Sequence, residues 1–182
     1  MHPSLEHSGI SLRPITAADR DALFLAARES IDTVGPWMSW CNADYSITDS
    51  DTWIALCQKN WQSGTDRDFG IFDTDSGDLL GCIGINQINS VHNFGNLGYW
   101  VRAGRVNTGV ATNAARLAAQ FAFQALHLSR LEIVARVDNL ASRRVAEKLG
   151  CHFECIARHR ILFKGSSLDA ALYSLLPNEI AG

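Results

Sequence analysis

Ile10 and Leu12 alternate with Ser11 and Arg13, which predicts a short strand over 10–13 that Pro14 stops. Thr16 is then placed to cap a helix reaching about residue 31, with Leu23, Phe24, Ala27 and Ile31 at helical spacing. The period fades over 34–45, a loop carrying Trp37, Met38 and Trp40. Thr48 or Ser50 caps a second helix running to about residue 61; it buries Trp53, Ile54 and Cys57, and Gly64 sits just past its end. The period then changes to that of strands. Segments 68–73 and 79–88, joined by a turn at 75–77, read as a hairpin, and 96–101 as the next strand. A helix over 110–126 carries Ala114, Leu117, Ala118, Phe121 and Leu126 on one stripe. Residues 131–137 are rich in strand formers, 140–149 form a short helix stopped by Gly150, and two last strands, 153–163 and 168–176, meet at Gly165 and Ser166. The order β-α-α-β-β-β-α-β-α-β-β predicts a mixed α/β layer fold, with residues 1–182 as one domain.

Composition narrows the classes. With 47% apolar and 19% charged residues the chain suits a globular core and argues against disorder. No run approaches the roughly 18 apolar residues of a membrane helix. Residues 1–9 carry no basic segment followed by an apolar run, so a cytoplasmic protein without a membrane partner is expected. Five cysteines, an odd number, read as reduced thiols. Cys151, His152 and Cys155 lack the second Cys/His pair of a zinc motif, so no metal is expected. The net charge of −3 argues against nucleic acid as a partner. It conceals an asymmetry: residues 1–91 carry 13 Asp and Glu against 5 Lys and Arg, and residues 92–182 carry 6 against 11. Two readings stay open. Either these are solvated surface charges, or a basic half holds a phosphorylated ligand and an acidic half faces a cationic one.

The stretch 97–112, Leu-Gly-Tyr-Trp-Val-Arg-Ala-Gly-Arg-Val-Asn-Thr-Gly-Val-Ala-Thr, runs from a strand through a glycine-containing loop into a helix. Free N–H groups at such a helix start form an anion site, Gly109 lets a phosphate approach the backbone, and Arg102 and Arg105 add charge. An ordinary strand-to-helix turn would read the same way. The spacing from Gly104 to Gly109 matches a phosphate-binding NTPase loop, but Val110 and Ala111 stand where Lys and Ser/Thr are required, which excludes that class.

Gly98-Tyr99-Trp100-Val101 followed by Gly109-Val110-Ala111-Thr112 resembles motif A of the GNAT acetyltransferase superfamily. The segment 138–150, Asp-Asn-Leu-Ala-Ser-Arg-Arg-Val-Ala-Glu-Lys-Leu-Gly, resembles the second signature helix of the ribosomal-protein-serine (RimJ/RimL-type) branch. Lys164-Gly165, Asp169 and Tyr173-Ser174-Leu175 resemble the tail of that branch. The likeness spans about 10–176. It implies a mixed, mostly antiparallel sheet splayed between its central strands, with helices on both faces. It also implies an N-acetyltransferase that moves acetyl from acetyl-CoA to a primary amine, with no metal. The chain departs from the pattern where Val106 replaces a Gln or Arg, Asn107 a loop glycine and Thr108 a common basic residue.

Several roles follow from the resemblance. The Val101 N–H would bind the acetyl oxygen, and the Ala103 backbone would pair with the pantetheine arm. Amides of Asn107, Thr108, Gly109, Val110, Ala111 and Thr112 would hold the pyrophosphate, with Arg105 adding charge. Asn139 would bond the pantetheine chain; capping the helix from Leu140 is its alternative role. Trp37, Trp40 and Tyr99 would border the acceptor, although core packing also accounts for tryptophans. Ser142 would donate to the leaving thiolate, or bond back toward Asn139 as a helix-start residue. The family's strand glutamate is absent, with Asn96 nearby instead. Glu132 is the candidate base if its strand turns it to the cleft; a water relay and desolvation of the amine are the alternatives. The acceptor is expected to be a basic protein N-terminus or a small amine, and the enzyme a monomer or homodimer. A non-catalytic acyl-CoA-binding domain on the same fold is the second reading.

Overall fold

The computed structural model describes residues 4–180. Eight strands form one sheet: β1 (Leu5–His7), β2 (Ile10–Arg13), β3 (Arg67–Asp73), β4 (Leu79–Asn89), β5 (Phe94–Val101), β6 (Arg130–Arg136), β7 (His152–Phe163) and β8 (Ser166–Leu175), in the order β1-β2-β3-β4-β5-β6-β8-β7. Every neighbouring pair is antiparallel except β5 and β6. Those two pair only from Phe94↔Arg130 to Asn96↔Glu132 and then part. This is the expected splay, and it leaves the last residues of β5 without a strand neighbour on one side.

Five helices cover the sheet: α1 (Arg20–Glu29), α2 (Ile31–Val34), α3 (Ile47–Ser63), α4 (Val110–Gln124) and α5 (Leu140–Leu149). One face packs Leu23 and Ala26 of α1 and Ile54 and Cys57 of α3 onto Phe72, Cys82 and Trp100. The other packs Ala114, Leu117 and Ala118 of α4 with Ala146 and Leu149 of α5 onto Ile83, Ile85, Leu97 and Ile133. Among the described residues no helix is long and apolar enough to cross a membrane.

The structure departs from the sequence reading at several elements. β1 is additional; three residues are too short to display a period. The expected single helix from Thr16 breaks into a short turn at Ala17–Asp19, then α1 and α2. At the break the Ser30 hydroxyl donates back to the Ala26 carbonyl at 2.6 Å and accepts the Ala103 N–H at 3.0 Å. Such back-bonding disturbs a helix, and the Ala103 contact is non-local. α4 stops at Gln124 rather than at 126. The cap of α3 is Ser46, not Thr48 or Ser50. Ser46 and Asp49 form a reciprocal capping box, with the Ser46 N–H donating to Asp49 Oδ2 at 2.8 Å. Ser46→Ala should lower stability by about 1 kcal/mol, read as a lower denaturant midpoint at unchanged slope.

Candidate active site

Backbone polarity along β5 follows from its pairing. The Arg102 N–H donates to the Leu80 carbonyl at 2.9 Å, so in register with it Trp100 and Gly98 also bond to β4. Tyr99 and Val101 therefore turn their N–H groups the other way, into the splay, where β6 has left. These unpaired donors face a cleft of about 440 Å³. Its walls are β5, the diverging part of β6, the loop before α4, and the start of α5.

Arg105, Val106, Asn107, Gly109, Val110, Ala111 and Thr112 line one end of this cleft. Asn107 and Gly109 both take left-handed backbone, at φ 62° and 88°, on either side of Thr108, whose hydroxyl donates to the Arg105 carbonyl at 2.6 Å. The first intrahelical N–H of α4 to find a carbonyl is that of Asn113, on Gly109 at 3.0 Å, and no side chain caps the helix. The N–H groups of Val110, Ala111 and Thr112 are left at the positive end of the helix dipole. A Cβ on Gly109 would meet nothing nearer than Asn113 Nδ2 at 4.0 Å, so the space before these amides is open.

Charge completes the picture. The cleft is lined by Arg105, Arg144, Lys148 and Arg136, the last already paired with Asp138 at 2.6 Å, and among the described residues by no carboxylate. Arg102, the other cation near the loop, is spent elsewhere: it forms a two-point ion pair with Glu29 at 2.6 and 2.7 Å. A strand edge with free donors, open amides at a helix start and four cations fit the pantetheine arm and phosphates of acetyl-CoA.

Ser142 and Tyr99 meet inside the cleft. The Tyr99 hydroxyl lies 3.2 Å from Ser142 Oγ and 3.0 Å from the Ser142 carbonyl. Burial pushes the Tyr99 phenol up, against the pull of its bond to Ser142, so it stays a proton donor. Asn139 Oδ1 accepts the Ser142 N–H at 3.1 Å and thereby caps α5. The cap thus uses the backbone of Ser142 and leaves its hydroxyl to Tyr99.

Four expected site residues stand elsewhere; one is Thr108, whose hydroxyl is turned back to the Arg105 carbonyl and which does not line the cleft. Glu132 lines neither cavity; Arg130 donates to it at 3.0 and 3.1 Å while also binding Glu154. Ala103 does not line the cleft, because its N–H is taken by Ser30. Trp37 lines this cleft under the Arg136 guanidinium, 4.9 Å from its ring, while Trp40 lines a second cavity across β5.

A second cavity, about 590 Å³, opens on the opposite side of β5 and shares Met38, Gly98, Tyr99 and Trp100 with the first. Its walls are aromatic: Trp40 packs edge-on to Trp100 with ring centres 5.5 Å apart and tilts against Tyr45 at 5.5 Å. Asp44, Asp49 and Asp68 line it, and among the described residues no Lys, Arg or His does. Bonds from the Ser46 hydroxyl and N–H hold Asp49 below the usual carboxylate range. The charge asymmetry of the chain thus becomes two cavities of opposite sign meeting at one strand. Asp68 escaped the sequence reading, since an aspartate opening a strand carries no motif; only pairing places it here.

The fold and these two cavities define a cofactor-dependent acyl-transfer enzyme, and comparison with known proteins agrees. Residues 10–152 match the acetyltransferase (GNAT) domain family. The chain is 30% identical over 180 residues to the uncharacterized N-acetyltransferase YoaA of Bacillus subtilis (strain 168), covering 98% of this chain and all of that protein. It is 28% identical over 113 residues to the ribosomal-protein-serine acetyltransferase of Escherichia coli (strain K12), 62% of each chain. The crystal structure of the microcin C7 self-immunity acetyltransferase MccE with acetyl-CoA and AMP superposes with a TM-score of 0.87 at 22% identity, over 93% of each chain. The chain belongs to the GNAT acetyltransferase family. It is an N-acetyltransferase that uses acetyl-CoA as acetyl donor.

Proposed function

We propose that this N-acetyltransferase modifies the N-terminal α-amine of a protein or peptide, with basic N-terminal segments preferred. The observation that carries the reading is the second cavity, with aromatic walls, three aspartates and no lining cation. Such a site draws in a positively charged amine and holds it against the rings. The Escherichia coli relative, named for serine acetylation on a ribosomal protein, supports this acceptor class. A ribosomal-protein acceptor is in keeping with a cytoplasmic enzyme.

When bound, acetyl-CoA supplies the acetyl group as an activated thioester. The Val101 N–H, turned into the splay, polarises the carbonyl, and the amides at the start of α4 hold the diphosphate. Ser142 Oγ, backed by the Tyr99 hydroxyl, donates toward the charge that develops on sulfur.

An α-amine has an unperturbed pKa of about 7.7–8.0 and a lysine amine about 10.4, so near neutral pH only the first offers a useful neutral fraction. Mass spectrometry of basic peptides after reaction should find acetyl on the N-terminus. Label mainly on internal lysines would overturn this acceptor.

A further inference from the structure

We propose that Asp68 is the proton acceptor for the incoming amine, reached along a trough free of side chains that Gly84 and Gly98 open across the sheet. Asp68 pairs with Gly84 across β3 and β4, and Gly84 pairs with Gly98 across β4 and β5. Directly paired residues present their side chains to the same face, so the three positions form one row on the acceptor face. A Cβ placed on Gly84 would stand 2.2 Å from Asp68 Oδ1, so the carboxylate lies over the middle strand, directed toward β5. A Cβ on Gly98 would meet nothing nearer than Asn86 Nδ2 at 3.5 Å. Nothing from the row itself therefore blocks the path between the carboxylate and the strand where the two cavities meet. The remaining gap is about one strand spacing, ~5 Å. An amine nitrogen, or one water, fills it within the reach a general base needs. Glycines in strand interiors weaken a sheet, and paired ones mark a place where something approaches the backbone.

The groups around Asp68 leave it as a base. From α3 the Cys57 thiol stands beside its carboxylate, and from β4 Cys82 lines the same cavity; burial pushes both thiols up, so they stay protonated. Asp66 is held by Asn60 Nδ2 at 2.9 Å and the Gln87 N–H at 3.1 Å. Arg67 turns its guanidinium over the Trp61 ring, 5.1 Å away. Asp44, Asp49 and Tyr45 line the same cavity. With no cation among its perturbing groups, burial first and the Asp66 charge second raise the Asp68 carboxyl to about 6. It is ionised at neutral pH and more basic than an ordinary aspartate. Glu132, in contrast, is tied to Arg130.

In the reaction the ammonium of the acceptor first loses a proton. The nitrogen lone pair then bonds the acetyl carbon, the carbon–sulfur bond breaks, and sulfur leaves with the electron pair and takes a proton from the Ser142 side. The second nitrogen proton departs as the amide forms. Asp68 receives the nitrogen protons in turn, directly or through one water, and releases them to solvent, a net loss of one proton per turnover.

The test uses the full chain with any amine it acetylates, so it does not depend on the acceptor being an α-amine. Asp68→Asn should lower kcat by about 10²–10⁴-fold at pH 7. The deficit should narrow toward pH 9, where the amine sheds its proton unaided. Calorimetric affinity for acetyl-CoA should not change. In the wild type, kcat should fall below pH 6, a limb absent from the variant. Carbon NMR should titrate the Asp68 carboxyl near 6 in the free protein. Because that value lies above the unfolded one, the carboxyl is held at greatest cost above pH 6, so Asp68→Asn should raise Tm there and not below pH 4. Gly84→Ala keeps the carboxylate but pushes it aside, and should also lose kcat at least tenfold with acetyl-CoA affinity intact. An Asp68→Asn enzyme within twofold of wild type, or equally slow at every pH, would overturn the role. If that variant does not fold, full activity of Gly84→Ala overturns it.

Discussion

Gly109→Glu should weaken acetyl-CoA binding at least 100-fold by calorimetry while leaving the chain folded. The position is open, with only Asn113 Nδ2 within 4.0 Å of an added Cβ, so the new side chain breaks no packing. Its cost to the fold is conformational, about 1–2 kcal/mol for an L-residue held at φ 88°. The cost to binding is larger. The free N–H groups of Val110, Ala111 and Thr112 attract any anion, and a glutamate built onto the loop would occupy them permanently. It would also repel a diphosphate from the four cations that line the cleft. A loss of about 3 kcal/mol corresponds to the 100-fold change. Gly109→Ala carries the same backbone strain without the charge and should lose much less. Equal affinity of Gly109→Glu and wild type would place the diphosphate elsewhere.

Ser142→Ala should lower kcat by up to about 10²-fold with acetyl-CoA affinity nearly unchanged, because the bond it removes strengthens only as charge reaches sulfur. The structure separates this role from capping: the Ser142 N–H, not its hydroxyl, bonds Asn139, so alanine leaves the cap of α5 intact. The Tyr99 phenol donates its one hydrogen to the Ser142 carbonyl at 3.0 Å, so its oxygen accepts from Ser142 Oγ at 3.2 Å and holds the serine hydroxyl until that hydrogen turns into the cleft toward sulfur. Tyr99→Phe removes that support and should cost less than Ser142→Ala. The double variant should be no slower than Ser142→Ala alone, since the two hydroxyls act as one chain. A Ser142→Ala enzyme with wild-type kcat would leave the thiolate to water and backbone groups.

Much of this site is legible along the chain, because the features that build it are local. The loop of 102–109 and the helix start after it lie within one stretch, and Ser142 stands three residues after its cap. Alternating and helical periods mark nearly every element, since each must hide one face from water over consecutive residues. Two of the misses were local choices settled by partners outside the segment. The helix break at Ser30 depends on Ala103, 73 residues away. Glu132 lies opposite Asn96, where β5 and β6 are still paired before the cleft opens, and is bound there by Arg130, which Glu154 on β7 also joins.

The sequence by itself determined the order of elements apart from β1 and the break between α1 and α2, the glycine loop and open helix start of 102–112, the motifs that mark the family and the division of charge between the two halves. The tertiary structure alone decided where those charges point: Asp44, Asp49 and Asp68 into one cavity, and Arg105, Arg136, Arg144 and Lys148 into the other. It also placed Asp68, Gly84 and Gly98 in one row, though they are far apart along the chain. Strand register sets that alignment, and a slip of one residue would turn Asp68 to the opposite face. Register is fixed by the whole buried face of the sheet, so no short segment of sequence contains it.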